Sequence, residues 1–314
     1  MNTVKVEIKK INNCTIKEAK KISDDRPAKC QEIFSDPYSN IFIVARKKSG
    51  KSTLISNMIK KIIGRNTHVI VFCSTVHKDP TWISIKDFLK KNGIKATYFL
   101  GIIEGKEDHL KQFMSAREQE SIVDEDSDEE EKCDFGDERK VKKYFSDSEE
   151  DDEDEKFEKE QLDDDEIEQE KFKTIPFEKI KFNKKSSIVK KEAYVTPEYL
   201  VIIDDLSNEL RCSSLEAYYK RSRHYKCCTI SSTQYLNDVK PASLRQQDVV
   251  LAFKGLDQAK LKKLYIDCDI TNIPFEVFCD LYHNSTKEKF AFFYIGVRDD
   301  TFRKNFDKQY FIEV

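Results

Sequence analysis

Seven continuous apolar runs constrain this chain more than any other feature. They are "NIFIVA" (40–45), "HVIVFCS" (68–74), "ATYFL" (96–100), "YLVIID" (199–204), "CCTISS" (227–232), "DVVLAF" (248–253) and "FAFFYIGV" (290–297). A strand with one wet face alternates apolar and polar residues, whereas these runs do not, so both of their faces are expected to be buried. Between them lie helical patterns. Leu54, Ile55, Met58, Ile59, Ile62 and Ile63 form one stripe, with Gly64 placed to cap it. Similar spacing predicts helices at about 81–91, 212–225 and 257–265. Strands alternating with helices give an α/β domain whose mostly parallel sheet is covered on both sides. The amino-terminal "TVKVEIKK" does alternate, and it predicts an edge strand or hairpin arm within residues 1–37.

Charge divides the chain unevenly. Residues 118–170 hold 28 acidic against 7 basic residues, leaving 48 basic against 30 acidic elsewhere. The acidic stretch has too few apolar residues to fold and too much like charge to collapse, so it is expected to be a disordered insertion. It then interrupts one domain, residues 38–117 and 171–314, with a short helix expected near Phe157 to Phe172. The remainder has the charge balance of a nucleic-acid-binding protein. An acidic tether on a basic body would shield lysines such as Lys184, Lys185, Lys190 and Lys191, and Ser127, Ser146 and Ser148 could deepen its charge by phosphorylation. The nine cysteines are scattered without a CxxC pair, which suggests reduced thiols. With no apolar signal core at the start and no run near the length needed to cross a bilayer, a soluble intracellular protein is expected.

The stretch "ARKKSGKS" (45–52) sits between a predicted strand and a predicted helix. It fits a phosphate-binding loop with Ala45 in place of the first glycine and Lys48 where many such loops keep another. Backbone N–H groups of such a loop, including those at Ser49 and Gly50, point into one cavity, and the helix N-terminus adds its positive end. Gly50 permits close approach of the backbone. Lys51 would reach the β- and γ-phosphates of ATP, Ser52 would offer its hydroxyl to Mg²⁺, and Thr53 would be a further contact.

A nucleotide site also needs a carboxylate at a neighbouring strand tip, and "YLVIIDDLS" ends in Asp204 and Asp205. The first is expected to hold Mg²⁺, the second to orient or deprotonate the attacking water. The run "CCTISSTQ" ends in Ser232, Thr233 and Gln234, and Gln234 could sense the γ-phosphate or position water if its strand neighbours that of Asp205.

In this order, the three strand tips resemble the FtsK–HerA branch of P-loop ATPases, and more specifically the poxvirus-type genome-packaging ATPases of large DNA viruses and virophages. The carriers are "IIDDLSNEL" and "YYKRSRHYKCCTISSTQYLNDVKPASLRQQDVVLAF". Within them lie the Asp204–Asp205 pair, the Arg223–His224 pair, Thr233–Gln234 and the segment from Pro241 to Arg245. The resemblance covers about residues 38–110 and 195–297. It implies a three-layer P-loop NTPase fold of the RecA/ASCE type, and a homo-oligomeric ring that moves double-stranded DNA by ATP hydrolysis. It further implies that Arg245 acts on a neighbouring subunit's γ-phosphate, that capsid or portal-vertex proteins are partners, and that the setting is host cytoplasm or a viral factory, with virion association. Arg46 or Lys47 would act in cis on the phosphates, as a loop cation does in some packaging motors. The "DCD" at 267–269 reads as a solvated turn, so DNA cutting is not expected. Two alternatives stay open: another P-loop enzyme such as a helicase, and a non-catalytic DNA-binding scaffold with a degenerate loop.

Overall fold

The computed structural model describes residues 26–125 and 193–312, with backbone only for 120–125. The predicted arm strand near the amino terminus, the helix near 157–172, the four shielded lysines and the three serines lie outside these residues.

All seven apolar runs form strands of one sheet. In chain order they are β1 (Asn40–Val44), β2 (His68–Cys73), β3 (Ala96–Phe99), β6 (Tyr199–Asp204), β7 (Cys227–Thr233), β8 (Val249–Phe253) and β9 (Phe292–Gly296). A small hairpin, β4 (Ile103–Glu104) and β5 (Glu107–Asp108), stands apart, and β10 (Thr301–Lys304) and β11 (Lys308–Tyr310) extend one edge. The sheet order is β11-β10-β9-β8-β1-β7-β6-β2-β3. From β8 to β3 all neighbours are parallel, and β9, β10 and β11 add antiparallel pairs. The reversal at β9 has a simple cause. Two helices, α6 (Gln258–Asp267) and α7 (Phe275–Ser285), separate β8 from β9 and return the chain to the end of the sheet it left.

Period-two geometry splits the buried strand residues between two cores. Phe42, Ile70, Val201 and Val250 face one side with α3 (His109–Glu125), α4 (Ser213–Arg221), α5 (Pro241–Leu244), α6 and α7. Ile41, Val69, Leu200 and Leu251 face the other, with α1 (Lys51–Ile62) and α2 (Pro80–Lys91). Cys30, Ile33 and Phe34 join this second core, so residues 26–37 pack onto the domain rather than standing off as an arm.

Three sequence expectations need correction. Helix α3 continues to Glu125, past the expected start of the insertion at 118, and Glu118 accepts hydrogen bonds from Arg221 and Tyr225. Those two tertiary contacts hold a turn that composition alone assigns to the acidic stretch. Helix α4 stops at Arg221 rather than 225, where the Ser222 hydroxyl turns inward to donate to the Asn40 side chain. The "DCD" is not a solvated turn: Asp267 closes α6 at 7% exposure and Cys268 is 3% exposed, leaving Asp269 as its exposed residue, at a left-handed φ of 52°.

A candidate nucleotide site at the carboxyl ends of the strands

The loop between β1 and α1 is held at both ends. Ala45 N–H donates to the Thr233 carbonyl at 3.0 Å, and Leu54 N–H donates to that of Gly50 at 2.9 Å. Gly50 is the N-cap at φ 93°, a conformation that costs a side-chain-bearing residue roughly 1–2 kcal/mol, and it offers no side-chain cap. Lys48 occupies the left-handed region without being glycine, at φ 63°. Among the described residues, no backbone carbonyl takes up the N–H groups of Gly50, Lys51, Ser52 and Thr53. The buried Ser49 hydroxyl likewise has no partner among the described residues. Donors without acceptors, at the positive end of a helix, suit an anion.

Lys51 points from this loop towards β6. Its Nζ lies 2.8 Å from Asp204 Oδ1 and 3.2 Å from Asp205 Oδ1. Both contacts are ion pairs. Burial pulls the Lys51 pKa down, but the negative charges of Asp204 and Asp205 outweigh it and hold the amine above its ordinary value. It is a cation at every physiological pH.

Asp204 is the last residue of β6 and is 3% exposed. Its Oδ1 accepts from Ser232 Oγ, on the neighbouring strand β7. Its Oδ2 accepts from Trp82 Nε1 at 3.0 Å. Trp82, the chain's single tryptophan, is fully buried on α2. Asp79 caps that helix by accepting from Thr81 N–H, with Pro80 in its first turn. Asp205 steps off the strand at φ 59°, a left-handed conformation that aspartate tolerates better than most residues. Gln234 Nε2 donates to both of its oxygens at 3.0 Å. The strand of Gln234 does neighbour that of the acid pair. It also separates that pair from the loop strand, because β7 lies between β1 and β6.

The structure thus brings Lys51, Asp204, Asp205 and Gln234 together, beneath the loop of Ala45, Lys48, Ser49 and Gly50. Ser52 and Thr53 open α1 beside them. Arg46 turns aside: its guanidinium donates to the Gly255 carbonyl at 2.6 Å, beyond β8, while Lys47 is exposed. Arg245 is not brought to this site within the chain. It follows α5, three residues before Asp248, whose N–H donates to the Asn40 carbonyl at the start of β1. It therefore lies at the opposite end of the sheet, exposed at the rim of a groove of about 920 Å³, its backbone N–H donating to the Pro241 carbonyl and its guanidinium making no hydrogen bond or ion pair among the described residues.

Sequence reasoning missed Trp82, because one aromatic residue in a helical pattern reads as core. It named Ser232 only as part of a polar tip. The register of β6 against β7, which pairs Asp204 with Ser232, is what gives that serine its contact.

The fold is a three-layer α/β one, a mostly parallel nine-stranded sheet with helices on both faces. No protein-family model matches the chain. Over 101 residues it is 26% identical to uncharacterized protein 075L of Invertebrate iridescent virus 6, a stretch covering 31% of this chain and 39% of that one. The match therefore spans about two fifths of the length of that relative. Among solved structures, the genome packaging NTPase B204 of Sulfolobus turreted icosahedral virus 2 in complex with AMP is similar over 86% of this chain and 98% of its own, at a TM-score of 0.47 and 14% identity. B204, the DNA-packaging ATPase from Sulfolobus Turreted Icosahedral Virus, is similar over 86% and 97%, at a TM-score of 0.44 and 14% identity. None of the described helices is long and apolar enough to cross a membrane.

Proposed function

We propose that this chain is an ATP-hydrolysing motor of the FtsK–HerA, poxvirus-type branch, which moves double-stranded DNA into a viral capsid. The observation that carries the ATPase part is the convergence of Lys51 on the Asp204–Asp205 pair under a loop of unpartnered N–H groups. The DNA and packaging part rests on the motif resemblance and on the basic charge of the chain outside residues 118–170.

In this reading the loop amides and Ser49 bind the phosphates, and Lys51 leaves the carboxylates for the β- and γ-oxygens. The oxygen donors at hand suit a hard divalent cation, and Ser52 and Asp204 would hold Mg²⁺. That ion supplies neutralisation of charge on the phosphates during transfer. Asp205, fixed by Gln234, orients the attacking water or accepts its proton. Gln234 then loses or keeps its grip on Asp205 according to what occupies the γ-position. Arg245, exposed and outside its own chain's site, serves a neighbouring subunit in a homo-oligomeric ring, and capsid or portal-vertex proteins are the partners of that ring.

The test is ATP hydrolysis by the purified protein with and without duplex DNA, repeated for Lys51→Ala and Asp204→Ala. Duplex-stimulated turnover that disappears in both variants is the expected result. Phosphoryl transfer to a small nucleotide acceptor would instead make it a kinase. ATP hydrolysis absent from an assembled wild-type protein would reduce it to a scaffold.

A further inference from the structure

Immediately after Gln234 the chain exposes an aromatic residue inside a ring of cations. Tyr235 is 63% exposed, at the carboxyl end of the sheet where the phosphate loop also lies. The residues after it form a 3₁₀ turn, Leu236–Asp238, anchored inward by buried Leu236. Two basic side chains clasp that turn from outside. Arg211 Nη2 donates to the Asn237 carbonyl at 2.9 Å, and Lys263 Nζ donates to Asn237 Oδ1 at 3.1 Å. On the other flank a cavity of about 60 Å³ brings Tyr235 and Gln234 against Arg46 and Lys254. Lys254 and Arg46 are exposed.

Of the nearby acids, Asp257 is taken up by Lys260, while Asp238 keeps its charge and accepts from the Thr233 hydroxyl at 2.8 Å. Arg46, Arg211, Lys254 and Lys263 outnumber that one acid, leaving a net positive surface around one amphipathic ring, built on the residue next to the one that holds Asp205. The fold has no need of it there. An exposed tyrosine contributes little to stability, and clustered cations repel one another.

We propose that this surface, centred on Tyr235 and Asn237, grips the phosphate backbone of duplex DNA, and that Gln234 links the grip to the nucleotide. The DNA part deepens the motor reading above and rests on it. Cations spread around a turn suit phosphates spaced along a duplex, and Lys or Arg contacts of this kind position nucleic acid without reading its sequence. Tyr235 would lie against the sugar–phosphate backbone, its hydroxyl donating to a phosphate. The link is one residue long. A shift of the Gln234 amide towards a γ-phosphate releases both oxygens of Asp205 and moves the peptide that carries Tyr235.

The experiment measures binding of the full-length protein to a fluorescent 30-base-pair duplex of mixed sequence across a salt series, with and without ATPγS. The key variant is Lys254→Gln/Lys263→Gln. The control is Lys220→Gln/Arg298→Gln, which removes two charges at the opposite end of the sheet. All four residues have exposed or half-exposed side chains, and melting curves confirm that the variants fold. The key variant should bind about tenfold more weakly at 0.1 M salt, and the slope of log affinity against log salt should fall by about 2, since each lost phosphate contact removes roughly 0.9. The control should change neither. Gln234→Ala should abolish the dependence of DNA affinity on ATPγS. Equal losses in key and control variants, no loss in the key variant, or a wild type that does not bind duplex each overturn the assignment. So does a Tyr235→Ala loss confined to single-stranded oligonucleotide, because that would mark a stacking platform for unpaired bases. ATPγS affinity measured in parallel separates the two ideas: a wild type that binds nucleotide while the DNA result fails leaves the ATPase reading standing.

Discussion

Replacing Trp82 by Phe isolates one contact of the candidate site. The indole N–H is the donor to Asp204 Oδ2, at 3.0 Å, with both residues essentially shut off from solvent. Phenylalanine keeps a ring in the same core and removes that donor. A hydrogen bond to a charged group contributes about 1.5–3 kcal/mol, and a buried carboxylate oxygen left without it bears its own desolvation. The void left by the smaller ring adds about 1 kcal/mol at roughly 24 cal/mol per Å³. The expected loss of stability is therefore about 3 kcal/mol, read from urea unfolding followed by circular dichroism. The two contributions separate in a double-mutant cycle with Asp204→Asn, where the coupling energy should be about 1.5–3 kcal/mol. Trp82→Phe leaves the Asp204 carboxylate held only through Oδ1, by Ser232 and Lys51, so the Mg²⁺ concentration that half-saturates ATPγS binding should rise about tenfold, while Mg²⁺-free binding changes little. A coupling below about 0.5 kcal/mol together with an unchanged Mg²⁺ requirement would refute the idea that Trp82 sets the orientation of Asp204.

Three further perturbations follow from the same structure. His68, 5% exposed and bonded to the Thr97 hydroxyl at 2.8 Å, has its pKa lowered to about 4 by burial and by the nearby Lys95 charge. Because the unfolded imidazole titrates near 6.5, its contribution is complete above that pH and is lost as pH falls from about 6.5 to 4, by about 3 kcal/mol. His68→Gln should flatten this limb of the stability–pH curve, and a variant with the same slope as wild type would show that other groups cause it. Gly50→Ala forces an L residue to φ 93° with its Cβ 3.0 Å from Phe290 Cδ1; the ring can yield, so the strain is about 1–2 kcal/mol, visible as a lower Tm and weaker ATPγS binding. Gly255→Ala would force an L residue to φ 127° and press its Cβ against the Arg46 side chain, and in an Arg46→Ala background the part due to that side chain should vanish, leaving the backbone strain of about 1–3 kcal/mol. A penalty unchanged in that background would mean that Arg46 does not rest on this turn.

The strands were legible because burial on both faces writes itself as unbroken apolar runs, and all seven runs became strands of one sheet. The loop before Lys51 was legible as a strand-to-helix junction because the apolar run ends at Ala45 and the helical stripe starts at Leu54. Sheet order was less accessible. Nothing in "CCTISSTQ" says that its strand intervenes between those of Lys51 and Asp204, yet that insertion is what sets Ser232 and Gln234 against the two acids. Trp82 was hidden for a similar reason, since its role depends on α2 packing across the end of β6 and not on its neighbours in sequence. The edge strands β10 and β11 carry mixed patterns, with Thr301, Arg303 and Lys304 only partly buried, so no clean period marks them. The limits of the acidic stretch were blurred in turn by Glu118, whose partners Arg221 and Tyr225 lie about a hundred residues away.

The central claim is that Lys51 and the acids at 204 and 205 serve one nucleotide, and calorimetric titration of ATPγS with Mg²⁺ into wild type and Lys51→Ala addresses it directly. The account predicts one site per chain in the wild type and a loss of affinity of roughly 100-fold in the variant, the scale of a charge-assisted contact to phosphate. Equal affinity in the two proteins would contradict it, since the ammonium would then have no part in holding the ligand.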